Sequence, residues 1–307
     1  MNAPTIRPKI VPPNQFVLGG QVAWYHDEGH HYGYFHTYDR LQVAGANDAP
    51  RKVHVFLPVD YEERKQHYPV VYMNDGDTAF FPGGLAHKSW QVAETLSNLL
   101  AKKAIISVIV VAVCPLDRDQ EYTHTFWIPN RHYGGLAGYT AYLTKCVKPF
   151  IDSNYRTIPD AAATAIVGSS HGGLAAFYIA ATQPQAFGKA AALSPSFWVG
   201  LDLQLIGSSL RDSLLLAATH STLANPAQRP RLWIDWGLER AGGFHNSVIE
   251  ALATQRGHEM VQLLQSDYGY RLGQDLLQFE DPMGQHNEDA WARRFGLVMK
   301  SFYNSTL

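Results

Sequence analysis

Residues 163–181 read ATAIVGSSHGGLAAFYIAA, and this stretch decides how the whole chain is read. An apolar run, 163–167, meets the pentad Gly168-Ser169-Ser170-His171-Gly172 and continues as a helix-like segment, 172–181. Ser170 is the middle of a G-x-S-x-G pattern between a strand and a helix, which is the setting a nucleophile elbow requires. Glycines beside a serine on so sharp a turn let strand and helix pack closely around it. The helix N-terminus that follows aims free amides at developing negative charge. The pattern alone is weak, because composition by itself puts it in about one 300-residue chain in ten. It gains weight from the strand before it, the helix after it and a histidine late in the chain.

Outward from the elbow, strands and helices alternate. Residues 52–58 read as a strand. Residues 69–74 form a near-continuous apolar run, the mark of a strand covered on both faces. Segment 89–103 carries Val92, Leu96, Leu99 and Leu100 at helical spacing, and 105–113 is a β-branched central strand. Segment 139–155 returns to helical spacing. Beyond the elbow, 189–193 and 231–236 read as strands, 246–256 as a helix ended by Gly257, 276–280 as a short strand and 286–303 as a final helix.

This alternation predicts an α/β fold with a mostly parallel central sheet and helices on both faces. A single domain over residues 1–307 is expected. Residues 1–50 read as an atypical, turn-rich N-terminal extension, and 114–138 and 200–230 as irregular insertions near the site. Function in such sheets gathers at the C-terminal strand ends. The elbow, Asp75-Gly76-Asp77, segment 236–240 and His286 all fall there.

Composition narrows the function classes. With 46% hydrophobic residues over 307 positions, the chain supports a sizeable core. Charged residues are 17%, below the usual quarter, so a disordered or heavily solvated chain is excluded. A formal charge of −2 with no basic face argues against a nucleic-acid partner. No apolar stretch approaches about 18 residues, so no membrane span is expected. No secretory signal is visible in residues 1–17, which makes the cytoplasm the default location. Cys114 and Cys146 read as buried free thiols. The 14 histidines make the net charge swing positive near about pH 6.

A serine hydroxyl needs a base to act as a nucleophile, and the imidazole needs an acid to hold its tautomer. The hydrolase chain order is Ser, then Asp or Glu, then His. Ser170 comes first. After the last strand comes Glu280-Asp281-Pro282-Met283-Gly284-Gln285-His286, which places His286 in a glycine-containing loop as the base. Glu239, just past a strand end and near Gly237, is the chosen acid. Asp235 in the strand and Glu250 on the following helix remain alternatives. An oxyanion hole needs two amide donors. They are read as the amide of His171, directly after the nucleophile, and that of Asp77, in the loop after 69–74.

With these residues in place the chain resembles the putative esterase family of α/β-hydrolases, which includes esterase D-like, feruloyl, enterochelin and mycolyl-transferring enzymes. The matching stretches are VFLPVDYEERKQHYPVVYMNDGD (55–77), SWQVAETLSNLL (89–100), 147–198 around the elbow and GQHNEDAWARRF (284–295). The resemblance implies an α/β-hydrolase fold, Ser170 as nucleophile, His286 as base, and oxyanion amides at Asp77 and His171. Two departures stand out. His171 occupies a position where such proteins often have Met. The family's G-x-x-acid pattern is one residue short, with Arg240 at the matching place.

The expected activity is hydrolysis of a carboxylic ester by a serine enzyme through an acyl-enzyme that water resolves, without metal or organic cofactor. The partner is a small-molecule ester, and siderophore, sugar-linked, aromatic and simple esters all fit the resemblance. An acyltransferase using the same acyl-enzyme and a non-catalytic binding protein on this scaffold are the alternatives. Oligomeric state is not legible. Among the remaining signals, His26 and His30 would share a face for a metal if 25–31 were helical, but Gly29 and Gly33 argue against a helix. Trp127, Tyr133 and Trp198 are candidates to line a substrate pocket, and Arg118 and Arg131 to clamp a carboxylate or to pair with Asp117 and Glu121.

Overall fold

The computed structural model describes residues 14–43, 49–84, 87–129, 131–201 and 208–305. Most of the 1–17 segment and six residues of the 200–230 insertion (202–207) therefore lie outside the described residues. The helices in chain order are α1 (Gly76–Ala79), α2 (Val92–Ala101), α3 (Arg118–Tyr122), α4 (Leu136–Tyr142), α5 (Lys148–Asn154), α6 (His171–Thr182), α7 (Leu214–Leu223), α8 (Ala251–Ser266) and α9 (Glu288–Tyr303). Two compact units emerge, one of Met1–Pro115, Tyr142–Pro159 and Ala292–Leu307, the other of Leu116–Ala141 and Asp160–Trp291.

The first unit holds β1 (Gln15–Leu18), β2 (Gln21–His26), β3 (Gly33–Leu41), β4 (Arg51–Pro58), β5 (Val70–Met73) and β6 (Ile109–Val113), in the order β1-β2-β3-β4-β6-β5. Pairing is antiparallel from β1 through β4 to β6 and parallel between β6 and β5. Every residue of β5 (VVYM) and β6 (IVVAV) is buried, as a strand covered on both faces demands. The turn-rich reading of residues 1–50 is corrected here, because β1, β2 and β3 lie inside that segment. On β3 the signal was masked by buried polar residues: His36 bonds to Tyr155, and Thr37 to His54 of β4. A hydropathy pattern does not register polar residues that pair across strands.

The second unit holds β7 (Thr164–Ser169), β8 (Lys189–Leu193), β9 (Arg231–Gly237) and β10 (Leu276–Asp281), parallel and in that order. Helix α6 is apolar nearly all round and correspondingly buried, from His171 through Ala181 apart from Tyr178. The α/β class and the parallel pairing expected around the elbow are present. Segment 114–138 contains α3, and 200–230 contains α7, each with a polar N-cap, Asp117 and Ser213, whose side chain accepts from a first-turn amide. Cys114 is buried and free, whereas Cys146 is only half-buried. Among the described residues no helix is long and apolar enough to cross a membrane.

Gly257 does not end a helix, contrary to the sequence reading. It lies inside α8, where a Cβ would come within 2.4 Å of the Trp236 ring. The glycine is there for close approach. Gly257→Ala is expected to destabilise the fold by about 1–3 kcal/mol, read as a lower urea midpoint at unchanged slope.

Buried histidines make stability pH-dependent. Burial lowers the pKa of His36 to about 4, of His54 to about 3 and of His124 to about 4. All three lie below the unfolded value near 6.5, so as pH falls through this window the unfolded chain takes up protons that the folded chain refuses. The stabilisation is complete above about pH 6.5 and is lost at about 1.4 kcal/mol per pH unit for each excluded proton. The urea midpoint is expected to drop between about pH 7 and about pH 5, and His36→Gln to flatten that drop.

Candidate active site

Strand β7 ends at Ser169, and α6 begins at His171. Between them Ser170 takes φ 53° and ψ −123°, a conformation that L-residues other than glycine rarely adopt. Two backbone bonds hold the turn: the Ser170 amide donates to Leu193 O at 2.9 Å, and the Ser196 amide donates to Ser170 O at 3.0 Å. The Ser170 hydroxyl lies 3.0 Å from His286 Nε2 and 3.2 Å from Ser196 Oγ.

The loop carrying His286 is zipped to the end of β9. Leu238 N donates to Asp281 O at 2.9 Å, and Glu239 N to Gly284 O at 3.0 Å. Gly237 and Gly284 meet backbone to backbone, where a Cβ on Gly237 would come within 2.2 Å of Gly284 O. His286 N donates to Asn246 Oδ1 at 3.0 Å, and His286 Nδ1 lies 2.5 Å from Glu250 Oε2. The ring is further flanked by Trp291, at 5.2 Å between centroids and nearly perpendicular.

Glu250 ends a π-helical turn, His245–Glu250, that leads into α8. Such turns recur at functional sites because they shift side-chain register by one residue. The carboxylate is fully buried. Its Oε1 accepts from Ser194 Oγ at 2.8 Å and from the Gly237 amide. Trp291 Nε1 donates to Ser194 Oγ at 3.4 Å, which orients that hydroxyl toward Glu250. A carboxylate can only accept, so His286 carries its proton on Nδ1 and turns the lone pair of Nε2 to Ser170.

The acid beside His286 is thus Glu250, and the choice of Glu239 is corrected. Glu239 Oε1 accepts from the Ala241 amide at 2.7 Å and closes its own turn. Arg240 at the next position reaches Thr254 Oγ1 at 2.7 Å and Gly237 O at 3.1 Å. Asp235 is buried inside β9, where it accepts from Trp233 Nε1 at 2.8 Å and from the Ser194 amide at 3.3 Å. One sequence signal did mark Glu250. It is the sole acidic residue in 240–258 and sits within the apolar stretch SVIEALA, where a carboxylate needs partners. Ser194, Ser196, Asn246 and Trp291 left no such mark.

His171 opens α6, and its amide has no hydrogen-bond acceptor among the described residues, as first-turn amides generally lack one. Its ring is buried against Trp127, with Arg118 Nη1 3.4 Å and Asp119 Oδ1 3.8 Å from Nδ1. Burial, then the charge of Arg118, holds its pKa well below the ordinary value, so the ring beside Ser170 is neutral. Arg131 pairs with Asp119 at 2.7 Å. Trp198 lies between Trp127, at 6.2 Å, and His286, at 6.5 Å. Asp77 belongs to the first turn of α1, after Asp75 with a left-handed φ of 55°. Among the described residues no group of three or more His, Cys, Asp or Glu side chains is placed to hold a metal ion, and His26 closes β2 instead of starting a helix.

Sequence and structure comparisons bear on this geometry. The family model described as "Putative esterase" matches residues 45–299. A ferulic acid esterase superposes with a TM-score of 0.62 at 18% identity, over 89% of this chain and 98% of that one. An IroE-like serine hydrolase from Shewanella oneidensis gives 0.61 at 20% identity, over 87% and 79%. An enterochelin esterase from Shigella flexneri gives 0.60 at 16% identity, over 90% of this chain and 58% of that one. By sequence, the uncharacterized protein YbbA of Bacillus subtilis (strain 168) is 24% identical over 155 residues, 48% of this chain and 58% of that protein's length. At these identities the structural likenesses establish a shared fold.

Proposed function

The chain belongs to the putative esterase family of α/β-hydrolases, and on that premise we propose that it hydrolyses carboxylic esters through Ser170, His286 and Glu250. The observation that carries this reading is the unbroken line from Glu250 Oε2 through His286, at 2.5 Å, to Ser170 Oγ, at 3.0 Å.

His286 Nε2 takes the hydroxyl proton as Ser170 Oγ bonds to the ester carbonyl carbon. The carbonyl oxygen gains the displaced electron pair, and the His171 amide donates to it. The imidazolium, held by Glu250, returns the proton to the departing alcohol as the tetrahedral adduct collapses to the acyl-enzyme. Water, deprotonated by the same nitrogen, repeats the sequence and releases the acid.

A fluorophosphonate probe tests the reading. Stoichiometric labelling at Ser170, lost in Ser170→Ala, is the expected result. No labelling of the native protein would overturn it in favour of a binding protein on this scaffold. A panel of esters varied in acyl length and in aromatic acyl groups then defines the substrate. Product analysis with added alcohols separates hydrolysis from acyl transfer.

A further inference from the structure

Strands β2, β3 and β4 carry a hydrogen-bonded line that ester cleavage does not use. Glu28 Oε1 lies 2.7 Å from His26 Nδ1, His26 Nε2 lies 2.8 Å from Thr37 Oγ1, and Thr37 Oγ1 lies 2.8 Å from His54 Nδ1. Burial lowers the pKa of both histidines, so each ring holds one proton. The Glu28 carboxylate only accepts, which puts the His26 proton on Nδ1 and leaves Nε2 as an acceptor. Thr37 has a single hydroxyl proton, and it goes to His26. Its oxygen therefore accepts from His54 Nδ1–H. The carboxylate at one end thus dictates the tautomer at the other, and His54 Nε2 is left with a lone pair.

No described residue is hydrogen-bonded to that nitrogen. His54 is only 5% exposed, yet it lines a cavity of about 370 Å³, the lower end of the range for small-molecule sites. Trp24 and Phe81 supply aromatic walls, Phe81 with its ring 5.3 Å from that of His54. Glu28 and Asp77, both acidic residues, also line the cavity. Glu28 does so from a left-handed backbone, φ 49°, in a turn pinned by Asp27 Oδ1 and the Gly29 amide at 2.8 Å. Lys52 also faces the cavity, and Asp39 draws its ammonium to 3.2 Å. The polar lining is thus dominated by acceptors set among aromatic rings. An ammonium is the complementary group, since it has three donors, no acceptor and an attraction to ring faces.

We propose that this cavity is a binding site for a compact primary ammonium on an apolar body, with an N–H group on His54 Nε2 and the Glu28 carboxylate as counter-charge. The proposed contacts use none of Ser170, His286 and Glu250, and binding here is read without any ester assay.

Calorimetry on the full chain with benzylammonium, benzyl alcohol and benzoate tests it. Benzylammonium is expected to bind one per chain, about tenfold tighter than benzyl alcohol, with benzoate weaker than either. Glu28→Gln is expected to lower benzylammonium affinity by about tenfold and to leave benzyl alcohol unchanged. Imidazole ¹⁵N shifts are expected to report His54 protonated on Nδ1 in the native protein. In Thr37→Val, which breaks the line without reaching the cavity, that tautomer is no longer imposed and benzylammonium affinity falls about fivefold. Equal binding of the three ligands, preference for benzoate, no binding up to about 10 mM, an unaffected Glu28→Gln or a native His54 protonated on Nε2 would each overturn the proposal. Glu28 sits on an exposed turn, so its variant folds even where Thr37→Val does not.

Discussion

Replacing Glu250 with glutamine is expected to lower kcat by about 10⁴-fold, and Glu239→Gln to leave it within about twofold. The reason lies in what a buried amide would do at that place. The Gly237 amide and the His286 ring compete for the two ends of the side chain. Gly237 is a fixed donor, so the glutamine oxygen faces it and the NH₂ faces His286. Nδ1 must then accept, which moves the imidazole proton to Nε2, and Ser170 meets a proton where it needs a lone pair. The ring remains in position and the base is lost. Steady-state kinetics should show the fall in kcat with little change in KM, the mark of an interaction made in the transition state. Glu239 only closes a turn with Ala241, so its substitution does not reach the ring. Full activity in Glu250→Gln, or a collapse in Glu239→Gln, would remove Glu250 from the mechanism.

The second large effect is on the nucleophile and its base. Ser170→Ala and His286→Ala are each expected to lower kcat by about 10⁵- to 10⁶-fold, and the double variant no further. In the proposed mechanism the two side chains perform one proton transfer, so removing either removes the step. Losses that multiply would mean that the two act separately. Stability moves the other way. Ser170 sits at φ 53° because the elbow requires it, and Ser170→Gly, which is free of that strain, should raise the unfolding free energy by about 1 kcal/mol while abolishing turnover.

The sequence by itself determined the α/β class, the elbow and the choice of His286. Each is a matter of local order: β-branched runs alternate with helical spacing, a pentad bridges strand to helix, and a histidine follows the last strand. Such patterns are legible because backbone geometry repeats over a few residues. The three N-terminal strands escaped, β3 because its buried His36 and Thr37 look polar until their partners, Tyr155 and His54, are known. Gly257 looked like a stop because nothing nearby in sequence names Trp236 as its neighbour.

Only the tertiary structure shows which of Glu239, Asp235 and Glu250 lies against His286. Thirty-six residues separate Glu250 from His286, and their meeting depends on a π-helical turn, on two glycines in backbone contact and on a serine and an amide that fill the other carboxylate oxygen. A carboxylate's reach is set by packing across the molecule, whereas its position in a motif is set by the chain. The same physics hid the Glu28–His26–Thr37–His54 line, in which the direction of every hydrogen bond follows from one charge at its end.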